Sequence, residues 1–180
     1  MDTEAVQPAP GIDAFNTWCA YLEVELSISV NTADARAWLW NLFIHNGEMP
    51  ADMVAPLVLD RRLELTNQAI DYFLHAADTD LKSAIPLTLT PHILHPEPRE
   101  PAGQVNVYTS EILAIGPLGI FQEVAGATQD YLARRHQTVW PVCPDHRTGT
   151  HPQPIPDGVA WICTTGPHTV RTMTAPDPTR

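Results

Sequence analysis

Two Cys/His pairs near the C-terminus constrain this chain more than any other feature: Cys143-Pro-Asp-His146 and, after sixteen intervening residues, Cys163-Thr-Thr-Gly-Pro-His168. A ligand pair on a tight turn presents two side chains to one side of an ion, and a hairpin between two such turns brings them together, as a tetrahedral zinc ion requires. The intervening residues supply that hairpin. Asp157-Gly158 is a turn signal, and Val159 to Ile162 reads as the strand that delivers Cys163. Two thiolates and two neutral imidazoles cancel the charge of Zn²⁺, so the set can be half buried without a large desolvation cost. The spacing predicts a structural Zn²⁺ on Cys143, His146, Cys163 and His168, with His151 as an alternative ligand in place of His146. A metal-free hairpin carrying buried cysteines is the plainer alternative.

The run Trp140-Pro141-Val142-Cys143-Pro144-Asp145-His146, followed by His151-Pro152, Val159 to Cys163 and Gly166-Pro167-His168-Thr169-Val170, resembles the C-terminal module of small uncharacterised actinobacterial proteins. In those, as here, an amphipathic helix leads into a Trp-Pro and a Cys/His ribbon. The resemblance covers about 40 residues and implies a zinc-ribbon-like ending with no particular activity attached.

The rest of the chain reads as helices. Residues 1–11 have little to bury and two prolines, which predicts a disordered lead-in. From Asp13, a good N-cap, Phe15, Trp18, Cys19, Leu22 and Leu26 fall at helical spacing, while residues 22–30 also alternate like a strand; length favours a helix. Thr32 can cap a second helix that carries Trp38, Leu39, Leu42 and Phe43 and stops at Gly47. Pro50 permits a new start, and residues 57–77 form a third apolar stripe. Leu87 to Thr90 suits a short strand, and residues 91–102, with four prolines, read as a connecting arm. Val105 to Thr109 alternates like a strand, and an amphipathic helix runs on from Pro117 to the Arg134-Arg135-His136 stop. The expected organisation is a lead-in (1–11), a helical unit with a Pro-rich arm (12–102), a strand and helix (103–137) and a zinc-ribbon-like hairpin (138–175). The fold class is α+β, a mostly helical body with a small C-terminal β-hairpin.

Charge narrows the partners. The formal charge of −11 repels phosphate backbones and anionic lipid, so nucleic acid is an unfavourable partner, and no apolar run is long enough to span a membrane. The imbalance is uneven: residues 1–60 hold nine carboxylates against Arg36, whereas residues 134–180 hold five arginines against Asp145, Asp157 and Asp177. Three sparse cysteines and an acidic N-terminus predict a cytoplasmic protein with reduced thiols. Cys19, on an apolar stripe, reads as packing. His92 and His95, bracketed by Pro91 and Pro96, make a poor second metal site. Trp40 and Ile44 lie off the main stripe of the second helix and leave a face for a partner or another subunit.

Signatures of catalysis such as H-E-x-x-H, G-x-S-x-G and the P-loop are absent from the sequence. The expectation is a non-enzymatic interaction or assembly protein, binding another protein or itself, with a structural zinc site. The alternative is a zinc-dependent hydrolase-like enzyme in which His151 or Asp145 serves an open metal position.

Overall fold

A computed structural model describes residues 11–82, 86–94 and 103–176. The expected lead-in before residue 11, His95 and the arm from 95 to 102 lie outside the described residues. Among the described residues the fold is α+β, with four helices and two small three-stranded antiparallel sheets.

Helix α1 (Ile12–Leu26) starts one residue before the expected Asp13 cap; Gly11, at φ 106, is the cap and Asp13 sits in the first turn, where its charge suits the helix dipole. Residues 22–30 carry both patterns because they adopt both structures. Leu22 and Leu26 are buried as part of the helix, Ser27 turns left-handed, and Ile28 and Val30 are buried in extended chain. The expectation of helix throughout fails beyond Leu26, because Ser29 pairs with a distant segment: it bridges Ala114 in parallel, and its N–H donates to the Leu113 carbonyl at 3.2 Å.

Helix α2 (Ala33–Asn46) follows the expected punctuation, the Thr32 hydroxyl accepting from the Ala35 N–H at one end and Gly47 donating to the Phe43 carbonyl at the other. Helix α3 (Ala51–Leu81) is longer than its stripe predicts, since it begins directly after Pro50 and runs through Pro56. A proline there, the sixth residue of the helix, forgoes the bond to the Asp52 carbonyl.

The segment expected as arm contributes strand β1 (Pro91–Leu94), which pairs with β2 (Gln104–Val107), and β2 pairs in turn with β3 (Ser110–Glu111). Leu87 to Thr90, expected as a strand, is irregular. Helix α4 (Pro117–Arg135) matches its expected span closely. The C-terminal segment holds three strands where the sequence suggests two: β4 (Thr150–Ile155), β5 (Gly158–Cys163) and β6 (Thr169–Thr174), in that order. The loop between β4 and β5 is Pro156-Asp157, and Gly158 opens β5. Its glycine is needed for another reason, because a Cβ there would collide with the Met173 carbonyl of β6.

Two apolar clusters result. One gathers Phe15, Trp18, Leu22, Leu39, Val54, Val58 and their neighbours from α1, α2 and the start of α3. The other joins the rest of α3 to α4, β2, β5 and β6 through Phe73, Phe121, Trp140, Trp161 and Met173. Between them runs the irregular segment 113–115, whose backbone is satisfied by side chains. Arg61 donates to the Ile115 carbonyl, buried Arg62 to those of Leu113 and Ala114, and the Glu123 carboxylate accepts from the Leu113 and Ala114 N–H groups. Burial pushes the Glu123 carboxyl up, against the pull of those two amides and Arg62. Among the described residues no helix is long and apolar enough to cross a membrane.

Candidate metal centre

The C-terminal sheet is anchored at its apolar face, and this decides where its loops project. Gln129 donates to the carbonyls of Trp140 and Thr150, and Gln122 to those of Ile155 and Gly158, fixing the sheet to α4. Asp80 at the end of α3 accepts from the Trp140 indole at 2.9 Å and pairs with Arg171 at 2.6 Å. The two loops at the far end of the sheet have no comparable apolar support.

Each loop is a tight turn closed by its own backbone. In the first, Val142 bridges Gly149, the Cys143 N–H donates to the Thr148 carbonyl at 2.9 Å and the Arg147 N–H to the Cys143 carbonyl at 2.8 Å. Arg147 takes a left-handed φ of 54 to complete it. In the second, β5 ends on Cys163, whose N–H donates to the His168 carbonyl at 3.0 Å, and the His168 N–H donates to the Gly166 carbonyl at 2.7 Å. The loops are stitched together by the Thr164 N–H and hydroxyl, both donating to the Gly149 carbonyl, and by the Thr165 hydroxyl on that of Thr148.

This framework brings Cys143, His146, Cys163 and His168 into one group whose ligand atoms all lie within 4.8 Å of one another, a group that can hold a metal ion. The Cys143 sulfur is 3.5 Å from Nδ1 of His146 and 3.3 Å from Nε2 of His168; the Cys163 sulfur is 3.4 Å from Nδ1 of His146. For a tetrahedral zinc with Zn–S of about 2.3 Å and Zn–N of about 2.0–2.1 Å, sulfur and nitrogen stand about 3.6 Å apart. The donor set fits such an ion in type and number, and these three sulfur–nitrogen distances fit it in spacing. Both sulfurs are buried, His168 is half-buried and His146 is exposed, so the soft ligands face inward and the imidazoles face solvent.

Burial acts to raise the Cys163 thiol, but hydrogen bonds from the Gly166 amide, the Thr148 hydroxyl, the Thr165 amide and the Cys143 side chain outweigh it and bring the pKa from 9.0 down to about 6. The same hydrogen bonds favour the thiolate, the form that binds metal.

The other residues singled out by sequence stay outside the group. His151 sits on β4 opposite Ile162, exposed, with its Nε2 3.3 Å from the Gln153 amide. Asp145 is exposed, its carboxylate 3.8 Å from Nε2 of His168. His92 is exposed on β1, and Cys19 is buried in the first apolar cluster, where burial raises its thiol.

Two contributors were not anticipated. Thr148 places its hydroxyl 3.6 Å from the Cys163 sulfur. Gly166 lies so close to the imidazoles that a Cβ would come within 3.2 Å of His146 Cε1 and 3.3 Å of His168 Nδ1. The Gly-Pro dipeptide before His168 is the sequence signal for such a close approach. Comparison of the chain with protein-family models, with curated proteins and with solved structures returned no significant match.

Proposed function

We propose that the chain is a non-enzymatic interaction or assembly protein whose C-terminal sheet ends in loops held by a structural zinc ion on Cys143, His146, Cys163 and His168. The observation that carries the reading is the convergence of those four ligand atoms within 4.8 Å. Zinc is the ion of choice for two thiolates and two imidazoles with tetrahedral spacing, and structural sites use all four positions for protein ligands. Binding of this kind contributes on the order of 10 to 16 kcal/mol in finger-sized peptides, which is ample to order two loops that bury little apolar surface. A rigid loop pair beside a stable core suits presentation to a protein partner.

The competing reading, a hydrolase-like zinc enzyme, draws on the nearness of Asp145 to His168. The two separate by metal analysis and cobalt substitution. The structural reading expects about one equivalent of zinc per chain and a cobalt spectrum of a closed four-ligand shell. A spectrum that changes on adding small anions would indicate an exchangeable water and favour the enzyme. Less than about half an equivalent, with both thiols freely titratable, would remove both.

A further inference from the structure

We propose that the chain carries a second site, separate from the Cys/His loops: an aromatic and acidic cavity at the turn between α2 and α3 that takes a small quaternary ammonium ion.

The cavity, about 460 Å³, is lined by Thr17, Trp18 and Tyr21 of α1 and by Glu48, Met49 and Pro50 of the turn. Residues three and four apart share a helix face, so Thr17, Trp18 and Tyr21 form one wall. The Trp18 indole N–H donates to the Met49 carbonyl at 2.8 Å, which ties the turn to α1 and spends the polar edge of that ring. The Thr17 hydroxyl is likewise spent, on the Asp13 carbonyl at 2.9 Å. Phe15, Trp18, Trp40 and Phe43 pack ring against ring. Tyr21 meets no other ring among the described residues and is 44% exposed, so its π system is left for a ligand.

The charge around the cavity is negative. Glu48 lines it, Asp52 follows in the first turn of α3, and Glu25 stands one turn beyond Tyr21; all three are exposed. The C-terminal end of α2 and the N-terminal end of α3 meet at this turn, and their opposite partial charges offset one another. The arginines of α2 and α3 are engaged elsewhere. Arg36 bonds to Asn16 and lies 5.2 Å over the Phe15 ring, while Arg61 and Arg62 donate to the carbonyls of residues 113–115. His45 is turned back on α2, its Nδ1 2.7 Å from the Asn41 carbonyl.

A ring, a thioether and a proline beside a carboxylate match a cation that carries methyl groups instead of N–H donors. Such an ion is attracted by the ring quadrupole and by Glu48, and its methyl groups lie well against Met49 and Pro50. A primary ammonium, with three N–H donors to satisfy, is the poorer match for these walls. An anion would be repelled by Glu48, Asp52 and Glu25.

The test is calorimetric titration of the full chain with choline and with neohexyl alcohol, its uncharged isostere with carbon in place of nitrogen. Choline is expected to bind with a Kd on the order of 1 mM, about tenfold more tightly than the alcohol. Tyr21→Leu and Glu48→Gln should each weaken choline about three- to tenfold and leave the alcohol unchanged, whereas Tyr21→Phe keeps the ring and the affinity. Should Tyr21→Leu lose helical circular dichroism, Glu48→Gln, on an exposed turn, carries the comparison. Choline that fails to saturate below about 10 mM, an alcohol that binds as tightly as choline, or variants that bind choline as the parent does would overturn the proposal. No lining residue belongs to the Cys/His group, so the same constant is expected with and without chelator. A metal-free chain that binds choline would sink the zinc reading alone, and a constant that changes on chelation would place the ligand elsewhere and sink this site.

Discussion

The α1–α2 region and the two Cys/His loops are built by opposite means. In the first, Leu22, Leu39, Val54 and Val58 are fully excluded from solvent, and the helices are held by apolar contact spread over many side chains. In the second, two cysteines and two histidines that can hold a metal ion converge, and the surrounding residues are mostly exposed threonines, prolines and an arginine. Spread contacts degrade gradually when one is removed, whereas a four-ligand site loses its purpose with any one ligand. The difference predicts where the molecule breaks.

Metal removal is the largest expected effect. Chelation, or Cys143→Ala, should abolish stoichiometric zinc and release protection of the Cys143, Arg147, Cys163 and Thr164 amides in hydrogen exchange, while amides of α1 and α2 stay protected. Helical circular dichroism that collapses together with those loops would erase the contrast. In the chelated protein, its loops loosened, the Cys163 thiol should lose the hydrogen bonds that hold it near 6 and titrate back towards 9.0, read by ultraviolet absorbance. A thiol pKa depressed in the folded state favours folding above the unfolded value of 9.0 and loses that contribution as pH falls through about 6. Acid should therefore loosen the loops first.

Leu39→Ala probes the other mode. Its side chain is 0% exposed, and deleting it should cost about 2–5 kcal/mol in denaturant unfolding. The cost should be the same with and without chelator, since distant sites add. Dependence on metal would mean that the two regions are coupled.

Gly166→Ala tests how tightly the ligands are seated. The new methyl would press on both imidazoles at 3.2–3.3 Å, and shifts of that kind behind metal ligands typically cost 10–100-fold in affinity. Competition with a colorimetric chelator would read it, with unfolding of the metal-free protein unchanged.

Legibility in the sequence follows the same division. α2, α4 and the Cys/His group could be read from the chain because their signals are local: a cap, a stop, a 3.6-residue stripe, two short spacings. β1 and β3 could not, since β1 begins on Pro91 and exists only through pairing with β2, and β3 has two residues. The end of α1 was ambiguous because residues 28–30 are held extended by Ser29 pairing with residues 113 and 114, a contact more than eighty positions away that no window contains. In the site, the two Cys/His pairs were visible and their neighbours were not: Thr148 and Gly166 matter through where the loops meet.

The smallest expected effect lies at that ambiguous helix end. Ser27 closes α1 in the left-handed conformation, φ 49 and ψ 47, which costs an ordinary L-residue about 1–2 kcal/mol and glycine little. Glycine gives part of this back through the greater freedom of its unfolded chain, so Ser27→Gly should stabilise the protein by roughly 0.5–1 kcal/mol. Because Ser27 belongs to the apolar region, the gain should appear equally in chelated and zinc-loaded protein. A loss instead would mean that the Ser27 side chain supports the turn into Ile28 and Val30, and that the switch from helix to extended chain is set locally as well as by residues 113 and 114.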